Sequence, residues 1–257
     1  MRNIVEVRGV KIGAGMPKIC IPIVGKTKEE ICAAAVRLKQ AECDVAEWRA
    51  DWFTEVFDFS EVTAVLKELR AILGEMPILV TFRTKNEGGE REISQEDYVA
   101  FNKNVIATGL ADLIDVEIFL VPGILEEIVE AAKQFGVKVV ASNHDFEKTP
   151  SESELMQRLL EMEKRGADIA KIAVMPRNKS DVITLLSATA RVGEEIGIPI
   201  ITMSMAGLGL ISRLCGEVFG SALTFGTAGA ASAPGQMDAM ELRRILQSIH
   251  ENTEKGA

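Results

Sequence analysis

Short runs of apolar and β-branched residues alternate with longer segments of helical period along the whole chain, and the alternation repeats with little variation. This rhythm predicts βα units around a parallel sheet, where each buried strand reads as an apolar run and each covering helix as an apolar stripe. Strands are predicted over 18–24, 44–49, 78–82, 113–117, 138–142, 169–173, 200–203 and 223–225. Helices are predicted over 27–40, 59–73, 94–108, 123–135, 151–165, 179–196, 207–214 and 236–251. Thr27 with Glu30, and Ser151 with Glu154, have the spacing of a capping box, in which a hydroxyl accepts an exposed backbone N–H. Glycines follow several predicted helices, Gly136 and Gly166 among them, as helix stops require.

Eight βα units in 257 residues predict an α/β fold of the (β/α)8 TIM-barrel type. An open, doubly wound sheet would place a Gly-rich phosphate turn after the first strand, and Val24-Gly25-Lys26-Thr27 offers a single glycine there. Ahead of the first barrel strand, residues 4–7 and 10–12 flank Arg8-Gly9 and predict an N-terminal β-hairpin closing the bottom of the barrel. No linker or low-complexity tract interrupts the pattern, so residues 1–257 are expected to form one barrel domain with a catalytic site.

Composition narrows the function classes. With 47% hydrophobic and 26% charged residues, the chain is neither disordered nor a disulfide-framed miniprotein. A net charge of −9 argues against a nucleic acid partner, whose phosphates call for a basic surface. Cys20, Cys32, Cys43 and Cys215 contain no C-x-x-C pair, and the N-terminus has no apolar stretch of secretory type, which points to a cytoplasmic protein with reduced thiols. The uncharged windows 196–212 and 218–237 are broken by Pro, Gly and small polar residues, so no membrane span is expected.

In (β/α)8 barrels the functional groups gather at the carboxyl ends of the strands. The polar residues at those ends are Glu47, Arg49, Arg83, Glu87, Glu117, Asn143, His144, Asp145 and Lys171, with Arg213 and the Ser232/Gln236 loop near the end of the chain. Lys171 interrupts the apolar run Ile169-Ala170-Lys171-Ile172-Ala173, where a charge facing the barrel is costly. A buried amine loses much of its preference for the ammonium form and attacks carbonyls to give imines; the same position also suits a lysine that reaches solvent or pairs with a carboxylate. His144 stands at the end of the adjacent strand and exchanges protons near neutrality. Arg49, Arg83 and Arg213 form a candidate cationic floor for a carboxylate, with Glu47 and Glu87 to balance charge, bind hydroxyls or orient His144. Met203, Met205 and Phe225 either wall a pocket or fill core. There is no H-E-x-x-H, Cys pair or His pair to suggest a metal site.

Read in order, Glu47-Trp48-Arg49-Ala50-Asp51, Thr81-Phe82-Arg83 with Glu87-Gly88-Gly89, Asp115-Val116-Glu117, Ser142-Asn143-His144-Asp145-Phe146, Ala170-Lys171-Ile172-Ala173, Met203-Ser204-Met205, Ser212-Arg213 and Ser232-Ala233-Pro234-Gly235-Gln236 resemble the type I 3-dehydroquinate dehydratases. These are Schiff-base enzymes of the shikimate pathway, and the resemblance covers essentially the full chain. It implies a hydro-lyase in which Lys171 forms an imine with the C3 ketone of 3-dehydroquinate, His144 acts as general acid and base, and Glu87 assists it. It further implies that Glu47, Arg49, Arg83, Arg213, Ser232 and Gln236 hold the substrate's carboxylate and hydroxyls, that no cofactor is used, and that the protein is a homodimer. Two rivals share part of the pattern. A class I aldolase has the lysine but cleaves a C–C bond, and a noncatalytic barrel binds hydroxylated carboxylates without forming an adduct.

Overall fold

Residues 4–119, 123–229 and 235–255 are described by the structure, a computed structural model. Eight parallel strands carry the barrel: β3 Lys18–Ile23, β4 Val45–Arg49, β5 Ile78–Thr81, β6 Leu113–Glu117, β7 Lys138–Asp145, β8 Ile169–Val174, β9 Ile200–Ser204 and β10 Leu223–Thr227. They are preceded by a hairpin of β1 Val5–Val7 and β2 Val10–Ile12 and followed by the short β11 Met237–Asp238. The helices are α1 Lys28–Leu38, α2 Phe59–Leu73, α3 Gln95–Ala107, α4 Ile124–Phe135, α5 Glu152–Lys164, α6 Lys179–Glu195, α7 Leu210–Leu214, α8 Gly216–Phe219 and α9 Ala239–Glu254. Each of β3 to β8 pairs with its successor, and β10 pairs with β3. The ring closes at a single bridge between Ile200 and Ser221, where Ala222 N donates to Ile200 O at 2.8 Å. None of the described helices is long and apolar enough to cross a membrane.

Alternation along the strands divides the molecule into two cores. One set of alternate residues, including Trp48, Val80, Ile114, Val139, Ile172 and Ile200, packs against the helix layer. The other set faces the barrel interior, and its lower layer is apolar: Cys20, Val45, Leu79, Leu113, Val140, Ile169, Ile201 and Leu223. Val5, Val7 and Ile12 join that lower layer, so the hairpin closes the N-terminal mouth as the sequence predicts. Arg8 at its tip, with φ of 47° beside Gly9 at 79°, makes the left-handed two-residue turn that suits a tight hairpin. The Arg8 guanidinium then pins the hairpin by donating to Asp112, just ahead of β6, at 2.6 Å.

Three local expectations are corrected. The helix predicted over 207–214 is confined to Leu210–Leu214, because the chain first makes a turn with Ala206 in the left-handed region (φ 55°), closed by Gly209 N donating to Ala206 O at 3.2 Å. The last helix begins at Ala239, since Met237 and Asp238 pair with Gly226 and Thr227 on the free edge of β10 before the chain turns. Thr27 and Ser151 do cap their helices, but Glu30 turns to Lys26 N and Glu154 to Arg158, while a reciprocal capping box forms at Asn178 and Asp181.

Candidate active site

Above the apolar layer the inward positions become polar. Two residues on from Val45 stand Glu47 and then Arg49; on β6 Leu113 is followed by Asp115 and Glu117, and on β8 Ile169 is followed by Lys171. On β7 Val140 is followed in the same way by Ser142 and His144. A period of two thus stacks charged groups on one face of the ring, where Glu47, Asp115, Glu117 and Lys171 are all at most 3% exposed. Such burial is tolerable only because the groups pair with one another.

The pairing centres on Arg83, just after β5. It donates to Asp115 Oδ1 at 2.7 Å, to Glu117 Oε1 at 2.8 Å and to Ser142 Oγ at 3.1 Å. Lys171 Nζ donates to the other oxygen, Asp115 Oδ2, at 3.0 Å, lies 4.0 Å from Glu47 Oε1 and stands 4.7 Å from the centre of the Phe225 ring. Burial alone would raise Asp115, but Arg83, Lys171 and the Ser142 hydroxyl outweigh it and hold the carboxyl at about 2. Arg49 is fixed by a two-pronged bond to Asp51, both arms at 2.8 Å, and Glu47 accepts from Thr81 Oγ1 at 2.8 Å.

His144 and Glu87 form the second group. Glu87 ends a short 3-10 turn over Lys85–Glu87, and its Oε2 accepts the backbone N–H of His144 and shares a hydrogen bond with the ring Nδ1, each at 2.9 Å. Burial pushes Glu87 up to about 8, and Glu117 adds to that rise while Arg83 opposes it. Burial also pushes His144 well below the usual imidazole range, with Arg83, Lys171 and Arg49 acting in the same direction. The imidazole is therefore neutral at pH 7, and when Glu87 ionises, its carboxylate accepts Nδ1–H and leaves Nε2 to accept a proton.

Ser212 Oγ accepts Ser204 N at 2.8 Å and donates to Gly209 O at 2.7 Å, which anchors α7 over the end of β9. Arg213, the next residue, is thereby brought to 3.5 Å from Met203 Sδ, and burial lowers it to about 10. A cavity of about 160 Å³ gathers Glu47, Arg49, Arg83, Glu87, His144, Lys171, Met203, Met205, Arg213, Phe225 and Gln236. The residues that the resemblance assigns to the substrate or to the chemistry thus line one cavity, except Ser232, which lies outside the described residues. Of the other strand-end candidates, Glu117 and Asn143 bind Arg83 and Glu87 from outside the lining, and Asp145 turns to the backbone of Glu147 and Lys148.

Residues 19–253 match the type I 3-dehydroquinase family. The chain belongs to the type I 3-dehydroquinase family. It is 52% identical over 250 residues to the 3-dehydroquinate dehydratase of Syntrophotalea carbinolica, covering 97% of this chain and 99% of the relative. A type I 3-dehydroquinate dehydratase from Clostridium difficile, solved with covalent modified comenic acid, superposes with a TM-score of 0.96 at 50% identity, covering 98% of this chain and all of the other. The 3-dehydroquinate dehydratase of Geobacillus kaustophilus superposes with a TM-score of 0.95 at 36% identity, covering 97% of each chain.

This type I 3-dehydroquinase barrel also contains site residues that reading the strand ends did not single out. Asp115 sits one layer deeper than the ends, and Gly88, Phe146 and Ala173 complete the lining of the cavity. Asp115 carried the same signal as Lys171, a charge at an inward position of an apolar strand. The lining glycine and alanine carry no such signal, because their contribution is lack of bulk.

Proposed function

We propose that the chain dehydrates 3-dehydroquinate to 3-dehydroshikimate through an imine on Lys171, with His144 as acid and base and Glu87 as the partner of His144. The observation that carries this reading is the joint presence, in one cavity, of a buried amine and an imidazole hydrogen-bonded to a carboxyl group.

The reaction follows from those groups. The amine of Lys171 adds to the C3 carbonyl, and loss of water leaves a protonated iminium that makes the C2 hydrogen acidic, because nitrogen accepts the developing electron pair. His144 takes that proton and an enamine forms. The enamine then expels the C1 hydroxyl, which leaves as water once His144 returns a proton to it. Hydrolysis of the conjugated iminium consumes one water, frees the product and restores Lys171, so the net change is loss of one water. Imine chemistry of this kind uses the lysine as its electron sink and calls on no metal or nucleotide. Arg49, Arg83, Arg213, Glu47, Gln236 and Ser232 hold the carboxylate and hydroxyls, while Met203, Met205 and Phe225 wall the ring face. Residues 1–257 act as one catalytic domain, in the cytoplasm and as a homodimer.

Borohydride added to the protein with 3-dehydroquinate tests the reading. A ligand-sized mass gain on Lys171, absent without substrate, is the expected result. Saturable binding with no adduct would sink the imine and favour the noncatalytic barrel.

A further inference from the structure

The hydrogen-bonded chain that begins at His144 continues outward through the barrel wall. Glu87 Oε1 accepts Asn143 Nδ2 at 3.0 Å, and Asn143 Oδ1 accepts Arg158 Nη1 at 2.7 Å. Arg158 belongs to α5, in the helix layer; its Nη2 donates to Glu154 one turn earlier, and its guanidinium lies 5.1 Å from the centre of the Phe119 ring. Asn143 can join the two layers because it occupies the strand position between Ser142 and His144, which face inward.

We propose that Arg158 is a positioning residue for the acid–base pair, acting through Asn143 to favour the Glu87 anion over the acid and to aim it at His144. This rests on the reading of His144 and Glu87 given above.

A guanidinium has donors and no acceptor, so the Asn143 oxygen must face Arg158 and its NH2 must face Glu87. Turning the amide over would set oxygen against carboxylate and NH2 against guanidinium, two wrong pairings at once. Arg158 thus selects the one rotamer that donates to Glu87. That donation has weight because the balance at Glu87 is close. It is faced by Arg83 from the end of β5, by Glu117 and Asp115 from β6, and by His144 and Asn143 from β7. Burial and the two carboxylates favour the protonated acid, whereas Arg83, Asn143 and the backbone N–H of His144 favour the anion. Removing one donor tips Glu87 toward the acid, and the pair then reaches its proton-accepting form at higher pH.

The test compares kcat, KM and their pH dependence for the unsubstituted chain, Arg158→Gln, Arg158→Lys, Glu87→Gln and the Arg158→Gln/Glu87→Gln double variant, each also trapped with borohydride. Arg158→Gln is expected to lower kcat about tenfold near neutral pH with KM within about twofold, the scale of one lost charge-assisted hydrogen bond. Its acid limb should move to higher pH, and its Lys171 adduct should still form. Arg158→Lys should recover most of the loss, since an ammonium also only donates. In the Glu87→Gln background, Arg158→Gln should add nothing further, because no carboxylate remains to be held. Losses that multiply across the two backgrounds, or an acid limb that stays in place, would overturn the proposal. Failure of the unsubstituted chain to trap any adduct would instead bring down the imine reading, and the positioning role with it.

Discussion

Lys171 and Asp115 meet at 3.0 Å across the floor of the cavity, although β7 lies between the strands that carry them. Asp115 is fully buried and serves Arg83 and Ser142 as well, so one carboxylate neutralises the two cations nearest the floor. In the proposed reaction the positive charge of a Lys171 iminium stays at the nitrogen that Asp115 already accepts from. Asp115→Asn keeps the shape and removes that charge. Loss of one partner from a buried pair is expected to cost about 3–5 kcal/mol, a fall in Tm on the order of 10 °C for a chain of this size. Below that lowered Tm, kcat should fall about 100-fold or more, the scale of a lost electrostatic stabiliser. Thermal melts and steady-state kinetics on the same preparation check both, and an unchanged kcat would remove Asp115 from the chemistry.

Asp115 also sets an acid limit on the fold. Its carboxyl is held at about 2 against an ordinary value of 3.8. A carboxyl lowered in the fold contributes stability that is fully present above the ordinary value and is lost as pH falls through the folded one. The contribution is on the order of 2 kcal/mol. Denaturant unfolding between pH 5 and pH 2 should therefore show a steeper decline for the unsubstituted chain than for Asp115→Asn; parallel curves would contradict it.

Glu87 has the opposite sign. Pushed up to about 8 from an ordinary 4.5, it contributes stability that is fully present below the ordinary value and is lost as pH rises through about 8. Unfolding free energy should decline between about pH 4.5 and pH 8 and level off above it, and Glu87→Gln should flatten that decline. The kcat/KM of the unsubstituted chain should rise across the same window, because only the anion leaves His144 free to accept a proton at Nε2. A stability curve of the same slope in Glu87→Gln would show that another group titrates there.

These groups differ in how plainly the chain declares them. Lys171 stands alone in an apolar strand, and His144 is one of two histidines, so rarity exposes both. The barrel itself is legible because its strands are continuous apolar runs, and the hairpin because Arg8-Gly9 sits between two short ones. Asp115 is as anomalous as Lys171 but lies next to Glu117, which draws attention to the strand end instead. Arg158 gives no sign at all: on α5 it reads as part of a solvated face, and its role depends on Asn143 turning toward that helix. The pairing of Met237 with Gly226 likewise depends on the edge that β10 leaves open, which no local pattern encodes.

Gly89 shows how close the backbone approaches at the site. A Cβ there would lie 1.9 Å from the Arg83 carbonyl oxygen and 2.9 Å from that of Thr84, so backbone must move to admit it. Thr84 N also donates to Glu117 Oε1 at 2.8 Å, which ties the same segment to the charged cluster. Gly89→Ala is expected to displace Arg83 and to reduce kcat/KM by about 100-fold, as small misplacements of positioning groups do. Near-normal kinetics in a folded Gly89→Ala variant would mean that the turn yields without moving Arg83.

The opposite end of the barrel should separate stability from chemistry. Ile12 is fully buried and packs with Val5 and Val7 under the apolar interior layer, whereas the cavity opens at the carboxyl ends of the strands. Ile12→Ala removes packing atoms and leaves a void that the ring of strands cannot collapse to fill, because its radius is set by eight strands and their register. The expected cost is about 2–5 kcal/mol of unfolding free energy. Between that void and Lys171 lies the layer that contains Ile169 and Leu113, each held in its strand by ladder hydrogen bonds. The charged layer above it is fixed by its own ion pairs, so kcat/KM well below the lowered Tm should stay within about twofold of the unsubstituted chain. A large loss of activity in folded Ile12→Ala would show that the plug and the site are coupled through the barrel interior.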